Sequence, residues 1–298
     1  MKEKKILFIG CVESSFRLLK NLIDKNKRVV GVITKRASAF NSDFCDLTPL
    51  CEKHSIPIHY VNNANDEDSL SFIRSLSPDI CFCFGWSQLL KEPLLSLFPC
   101  GVFGFHPSEL PCNRGRHPLI WALVLGLKQT ASSFFVIDAN ADEGDIVSQE
   151  VIEITYDDDA RSLYDKVMDT AVRQETELVE AIENDRLIRR RQDKNSGNTW
   201  RKRGKDDGRI DWRMSCGSIY NLVRGLTKPY AGAHFNYNNM EIKVWRVKEI
   251  PCDDYPNIEP GKIIKCHSDG TVDIKAGGGL IRLLEFDDVK LTEGEYLP

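Results

Sequence analysis

A succession of short apolar runs, alternating with helical patterns, constrains this chain more than any other feature. Residues 5–10 (KILFIG), 29–34 (VVGVIT), 79–84 (DICFCF) and 101–105 (GVFGF) carry apolar side chains at consecutive positions, and 56–61 is a further short run. Strands apolar on both sides are buried on both faces. Between them Phe16, Leu18, Leu19, Leu22 and Ile23 recur at helical spacing. Residues 47–54 (LTPLCEKH) make a short helix, and 66–76 make another with Asp66 as its N-cap. Strand and helix in alternation mean an α/β fold, a mostly parallel sheet with helices on both faces. A strand at 151–154 and a long amphipathic helix at 159–182, with Leu163, Val167, Ala171, Leu178 and Ile182 on one stripe, complete this part.

The pattern then changes. Residues 186–205 hold nine Lys and Arg against one acid and show no apolar periodicity, so they read as a basic linker across the surface. A contact to a phosphate-bearing substrate is the other reading of that segment. From residue 210 a helix at Cys216–Leu226 is followed by short segments at 242–250, 262–266, 271–274 and 280–286, with turns at 267–270 and 277–279. They describe a smaller, mostly-β domain of open-barrel type. The expected domains are therefore 1–185, a linker at 186–209, and 210–298. Internal repeats are absent.

Chemistry concentrates between residues 101 and 149. An apolar run ends at His106, which Pro107 follows. A Pro- and Gly-broken loop (LPCNRGRHP) carries Arg114, Arg116 and His117, and a second apolar run, 132–137, opens into an acidic loop at 138–145 (DANADEGD). If the two runs are neighbouring strands, a His and an Asp meet at one sheet edge, which suits an imidazole base oriented by a carboxylate. A satisfied core His beside a solvated acidic turn is the alternative. In a parallel sheet the ligand lies beyond the carboxyl ends of the strands. The segments GCVESS, FGWSQLL, FHPSELP and 138–145 leave those ends, which favours the first reading.

Composition narrows the classes. The net charge of −4 gives no support to broad nucleic-acid binding. No apolar run reaches membrane-spanning length, and the N-terminal one is too short for a signal peptide, so the chain is expected in the cytoplasm with its ten cysteines as thiols. Cys81 and Cys83 lack a second pair at zinc-site spacing and read as core residues; no metal has a credible ligand set.

The stretch HPSELP, Arg114-Gly115 and Asp142-Glu-Gly-Asp145, with IDW and LVRGLTKPYAGA downstream, resembles the 10-formyltetrahydrofolate-dependent formyltransferase family over nearly the whole chain. The segments GCVESS, FGWSQLL and RGRHPLIWAL resemble its sugar N-formyltransferase branch, related to methionyl-tRNA formyltransferase. The resemblance implies a Rossmann-like catalytic domain, 10-formyltetrahydrofolate as co-substrate, no metal and a homodimer. It implies acyl transfer to an amine, with His106 as base and Asp142 orienting it. The family's third catalytic residue, an Asn two positions before the His, is Gly104 here. That Asn amide has an oxyanion-hole task; Asn113 and Asn140 lie in loops from which an amide could replace it.

The donor is expected against Phe84, Gly85, Trp86, Ser87, Leu89 and Leu90, and against Ile137, Asp138, Asn140 and Asp142. Ser14, Ser15, Pro107, Ser108, Arg114, Gly115, Arg116 and Tyr230 are the candidates for substrate contacts. For Trp86 and Tyr230 core packing is the alternative, and for the two arginines a loop-bracing role. The leading substrate is an amino deoxysugar linked to dTDP, UDP or GDP, used in surface-glycan synthesis such as lipopolysaccharide or O-antigen. Methionyl-tRNA formyltransferase is the first rival. Against it, residues 206–298 hold 12 Lys and Arg and 15 Asp and Glu, a charge of 12 − 15 = −3, and the loop TKRASAFNSDFCDL lacks a Gly- and Arg-rich pattern. The second rival is a folate or sugar-nucleotide binding protein that has lost catalysis, motivated by Gly104.

Overall fold

The computed structural model describes residues 3–37, 43–138, 140–193, 195–252 and 254–298. Residues 38–42 of the loop after the second strand lie outside that set, as does Ala139 of the acidic loop. In chain order the elements begin β1 (Ile6–Ile9), α1 (Glu13–Asp24), β2 (Val29–Thr34), α2 (Thr48–Lys53), β3 (Ile58–Tyr60), α3 (Glu67–Leu76), β4 (Ile80–Cys83), α4 (Glu92–Leu95) and β5 (Val102–His106). They continue with β6 (Arg114–Gly115), α5 (Pro118–Val124), β7 (Gln129–Val136), β8 (Ile146–Glu153), α6 (Ala160–Glu183) and β9 (Thr199–Trp200). A 3₁₀ turn at Lys205–Gly208 leads to α7 (Cys216–Leu226), β10 (Ala233–Tyr237), β11 (Met240–Ile250), β12 (Ile263–Cys266), β13 (Val272–Ala276) and β14 (Gly279–Phe286).

The first sheet has the order β3-β2-β1-β4-β5-β7-β8. The pairs from β3 to β5 are parallel, and β5 pairs antiparallel with β7. Period-two alternation explains its two buried faces. Phe8, Phe82, Phe84, Phe103, Phe105 and Phe134 form a chain of ring contacts with centroids 5.2–6.4 Å apart. The intervening Leu7, Ile9, Cys81, Cys83 and Val102 enter a second cluster. Cys81 and Cys83 are core residues, as expected, and burial pushes the Cys83 thiol up to about 12.

One expectation about this sheet is corrected. The 132–137 run was taken to end at the same edge as β5. Because β7 runs antiparallel, its end lies at the start of β5, where Ile137 N donates to the Val102 carbonyl at 2.8 Å.

The chain divides into two compact units that interleave along the sequence. The first comprises Met1–Gly115, Ala131–Ile152 and Asp165–Trp200; the second comprises Arg116–Thr130, Glu153–Tyr164 and Arg201–Pro298. The second unit holds a five-stranded antiparallel sheet of order β10-β11-β14-β13-β12 over α7. Ile120 and Val124 of α5 join its core, and Arg224 Nη1 donates to the Thr155 and Asp158 carbonyls at 2.9 and 2.8 Å. Sequence patterning passed over α5 and β10. Helix α7 stands where its apolar spacing and the following Pro229 placed it.

In the first unit α1 and α6 meet through a buried polar contact. Asn21 Nδ2 donates to Glu175 Oε2 at 2.8 Å, while Glu175 Oε1 is buried without a partner. Burial raises the Glu175 pKa well above its ordinary 4.5, and the Asn21 bond only partly opposes this. In the unfolded chain the carboxyl ionises near 4.5, so above that pH the folded state holds the extra proton and stability falls as pH rises. Glu175→Gln removes the ionisation. Thermal denaturation of the variant should therefore show a Tm advantage over the parent that grows between about pH 5 and about pH 8. An advantage that is constant with pH would rule this account out.

Candidate active site

His106 closes β5 and is 6% exposed. The loop after it is tied down along its length. Ser108 N donates to the His106 carbonyl at 2.9 Å, and Ser108 Oγ donates to the Cys112 carbonyl at 3.0 Å. Ser133 Oγ donates to the Ser108 carbonyl at 2.6 Å, and Gln149 Nε2 donates to the Leu110 carbonyl at 2.9 Å. This loop delivers Asn113 in a left-handed conformation (φ 64°), with its carbonyl oxygen 2.9 Å from His106 Nε2.

That contact settles the tautomer. A carbonyl only accepts, so Nε2 carries the hydrogen, and the neutral ring has its lone pair on Nδ1. Nδ1 faces Asp142 Oδ2 at 3.8 Å, too far for a hydrogen bond; the pair is an ion pair only when the ring is protonated. The hydrogen bond on the ring comes from the Asn113 carbonyl at Nε2, and Asp142, expected to orient the imidazole, faces the other nitrogen.

Asp142 lies in the loop between β7 and β8, opposite His106 at the end of β5. Asp142 is itself left-handed (φ 58°), and its Oδ2 accepts from Gly115 N at 3.2 Å. Gly115 has φ 99°, and a Cβ there would sit 2.3 Å from the Trp200 carbonyl oxygen, so the donor position requires glycine. Asn140 N donates to Asp138 Oδ1 at 2.8 Å.

Several sequence candidates have structural duties. Ser15, expected at a substrate, is fully buried and donates its hydroxyl to the Phe84 carbonyl at 2.6 Å; Ser14 is half-buried. Ser108 is likewise fully buried inside its loop. Arg114 is 7% exposed and donates Nε to the Asp142 carbonyl at 3.2 Å, so it braces a loop. Tyr230 packs against the core of the second unit, and Phe84 and Leu90 lie in the core of the first. Pro107 and Arg116 are half-buried.

The loop after β4 leaves Gly85, Ser87 and Leu89 exposed. Gln88 moors it by donating to the Asn62 carbonyl at 2.6 Å, and Asn65 does so by donating to the Leu89 carbonyl at 2.9 Å. Trp86 packs on the apolar cluster with Lys35 Nζ 5.0 Å from its ring centroid, and its indole Nε1 is buried with no hydrogen-bond partner. Among the described residues no group of three or more His, Cys, Asp and Glu side chains could hold a metal ion.

Gly104 faces Phe135 across the β5–β7 pair. A Cβ at Gly104 would lie 2.7 Å from Phe135 Cζ, 2.9 Å from Cε1 and 3.0 Å from Ile137 Cγ1. The space for a side chain is filled by an aromatic ring that packs with Leu110 and Ile146. Asn113 contributes its carbonyl to the His106 ring, and Asn140 is exposed beyond its turn.

Sequence reasoning missed Gln149, Phe135, Gln192 and Asn198. The last two lie in the segment read as a solvated basic linker. That reading is corrected: Arg190 bridges Ile146, β9 pairs with β6, and Gln192 is 4% exposed. No periodicity marks so short a contact, and the surrounding charge hides it.

The formyl transferase family profile matches residues 4–181, and the formyl transferase C-terminal domain profile matches residues 202–293. The chain is 30% identical over 293 residues to a methionyl-tRNA formyltransferase of Sulfurihydrogenibium sp., covering 96% of this chain and 93% of that relative. Among solved structures it is similar to WlaRD, a sugar 3N-formyl transferase seen with dTDP and 5-N-formyl-THF (TM-score 0.69, 16% identity, 97% of this chain and 100% of that one). It is similar also to an N-formyltransferase from Helicobacter canadensis in complex with folinic acid and dTDP-3-aminofucose (TM-score 0.69, 15% identity, 96% of this chain and 100% of that one).

The packing at Gly104 predicts the outcome of restoring an amide there. Gly104→Asn should lower stability by about 1–3 kcal/mol through overpacking. The loss should be smaller when Phe135→Leu is already present, giving a favourable coupling in a double-mutant cycle of thermal melts. Strict additivity would show that the ring moves aside without cost.

Proposed function

Because the chain belongs to the formyl transferase family, we propose that it moves the formyl group of 10-formyltetrahydrofolate to the amine of a nucleotide-linked amino deoxysugar in the cytoplasm. The single observation that carries the chemistry is the pairing of His106 Nδ1 with Asp142 at 3.8 Å, with Nε2 fixed on the Asn113 carbonyl. 10-Formyltetrahydrofolate supplies an activated formyl group. His106 Nδ1 takes the proton that the acceptor amine sheds as it bonds to the formyl carbon. The ring is then an imidazolium held by two partners: the Asn113 carbonyl at Nε2 and the Asp142 carboxylate across from Nδ1. The same Nδ1–H returns its proton to the departing folate nitrogen. The exposed Gly85, Ser87 and Leu89 support placing the donor against the loop after β4.

A small anionic acceptor is favoured over a nucleic acid by the acid excess of residues 206–298, 12 Lys and Arg against 15 Asp and Glu. The sugar formyltransferases named above, similar in extent to this chain, supply the probe to use first. A second reading, transfer to methionyl-tRNA, has two observations in its favour. One is the methionyl-tRNA formyltransferase relative. The other is the exposed run Arg189, Arg190 and Arg191 beside Ile188, itself 81% exposed.

The test is turnover with 10-formyltetrahydrofolate and a panel of dTDP-, UDP- and GDP-linked 3-amino and 4-amino sugars, dTDP-3-aminofucose among them. Charged initiator tRNA is assayed in parallel. The expected result is a formyl mass gain on a sugar nucleotide that falls by roughly a hundredfold or more in His106→Ala. Gain on tRNA alone would move the acceptor to the second reading. Folate binding without turnover on any acceptor would make the chain a binding protein.

A further inference from the structure

The segment joining α6 to β9 was expected to be a solvated connector, yet it touches both sides of the His106–Asp142 pair. Gln192 is 4% exposed, and its carboxamide uses both ends. Nε2 donates to the Asp142 carbonyl at 2.9 Å and to the Gly144 carbonyl at 2.7 Å, while Oε1 accepts from Arg114 Nη2 at 2.9 Å. Arg114 Nε donates to the same Asp142 carbonyl at 3.2 Å. One buried amide and one buried guanidinium thus grip the backbone of a residue in the left-handed region, which an Asp adopts only when its surroundings impose it (φ 58°). Farther along, Asn198 Oδ1 accepts from Asn113 N at 2.9 Å, and the Asn198 carbonyl accepts from Arg114 N at 3.1 Å. Asn113 is the residue whose carbonyl fixes His106 Nε2.

We propose that Gln192 is a positioning residue for formyl transfer: by gripping the Asp142 backbone together with Arg114, it holds the carboxylate opposite His106 Nδ1. This rests on the reading of His106 and Asp142 given above. The alternative is that Gln192 merely satisfies loop carbonyls and adds stability. The geometry argues against that. Both carbonyls it serves belong to the loop that carries Asp142, and its other end engages the only other side chain seen bonding the Asp142 carbonyl among the described residues. A shift of about 1 Å in a catalytic group costs on the order of a hundredfold in rate, so a grip of this kind belongs to catalysis as much as to folding.

Gln192→Met keeps length and apolar bulk and removes every hydrogen bond. Gln192→Asn keeps the amide but shortens its reach, and serves if the first variant does not fold. Two measurements apply to each. Hydrogen–deuterium exchange reads the Gly115 amide, the donor to Asp142 Oδ2. Its exchange should quicken roughly tenfold, with the amides of β5 unchanged. Steady-state kinetics with 10-formyltetrahydrofolate and dTDP-3-aminofucose, or charged initiator tRNA if that is the acceptor, should show kcat lower by about ten- to a hundredfold with little change in either KM. In an Asp142→Asn background the same change should cost less than about twofold, because the group it positions is gone. An unchanged Gly115 amide, an unchanged kcat, or an equal loss in both backgrounds would overturn the proposal. Full activity in His106→Ala would instead sink the reading of the site, and the exchange measurement would still decide whether Gln192 holds the loop.

Discussion

The hydrogen bond from His106 Nε2 to the Asn113 carbonyl is the constraint on which the rest of the site depends. It fixes the ring plane, assigns the hydrogen to Nε2 and leaves Nδ1 as the one nitrogen able to take a proton. For that bond to hold, the strand and the loop must both be rigid. The strand is rigid because Phe103 and Phe105 lock β5 into a cluster of rings beneath the sheet. The loop is rigid because Ser108, Ser133 and Gln149 satisfy its backbone from inside. Asp142 Oδ2 stands 3.8 Å from Nδ1, beyond direct hydrogen-bond distance.

Much of this architecture was legible because burial imposes patterns that survive in sequence. β2 and α7 stand at the residues where their apolar patterns placed them, and α6 differs by one residue at each end. Direction was not legible in the same way. β7 is buried from Thr130 to Phe135 at consecutive positions, as an interior strand is whichever way it runs, so its antiparallel pairing had no signature. Helix α5, PLIWALV, is apolar all round and only seven residues long, which leaves no polar face for periodicity to reveal. β10, AHFNY, by contrast alternates apolar with polar residues, so its pattern was there to be read.

The candidate site was legible in His106 and Asp142 and illegible in the residues that support them. His106 and Asp142 stand out because a His and an acid cluster follow apolar runs. The supports are generic residue types, Ser15, Ser108, Gln149, Gln192 and Asn198, whose roles come from what lies opposite them in space. Arg114 shows how a residue type misleads. A guanidinium near a strand end looks like a phosphate ligand, yet at 7% exposure its hydrogen bonds go to the Asp142 carbonyl and to Gln192. The basic run after α6 misleads in the opposite direction, since its exposed arginines conceal the buried Gln192.

Gly104 and Phe135 are best understood as one unit rather than as a missing residue beside an unrelated ring. A glycine inside a strand weakens it, and an aromatic on the neighbouring strand that folds over the glycine restores packing. Here the ring does more than fill the gap. It joins Leu110 and Ile146 in a small apolar cluster beneath the loop that ends at Asn113. Leu110 belongs to that loop and Ile146 begins β8, so the ring links the two elements flanking His106 and Asp142. Placing a polar side chain at residue 104 would put an amide where the ring now packs, and would loosen the support under the Asn113 carbonyl. The two ways of building this strand pair are therefore exclusive.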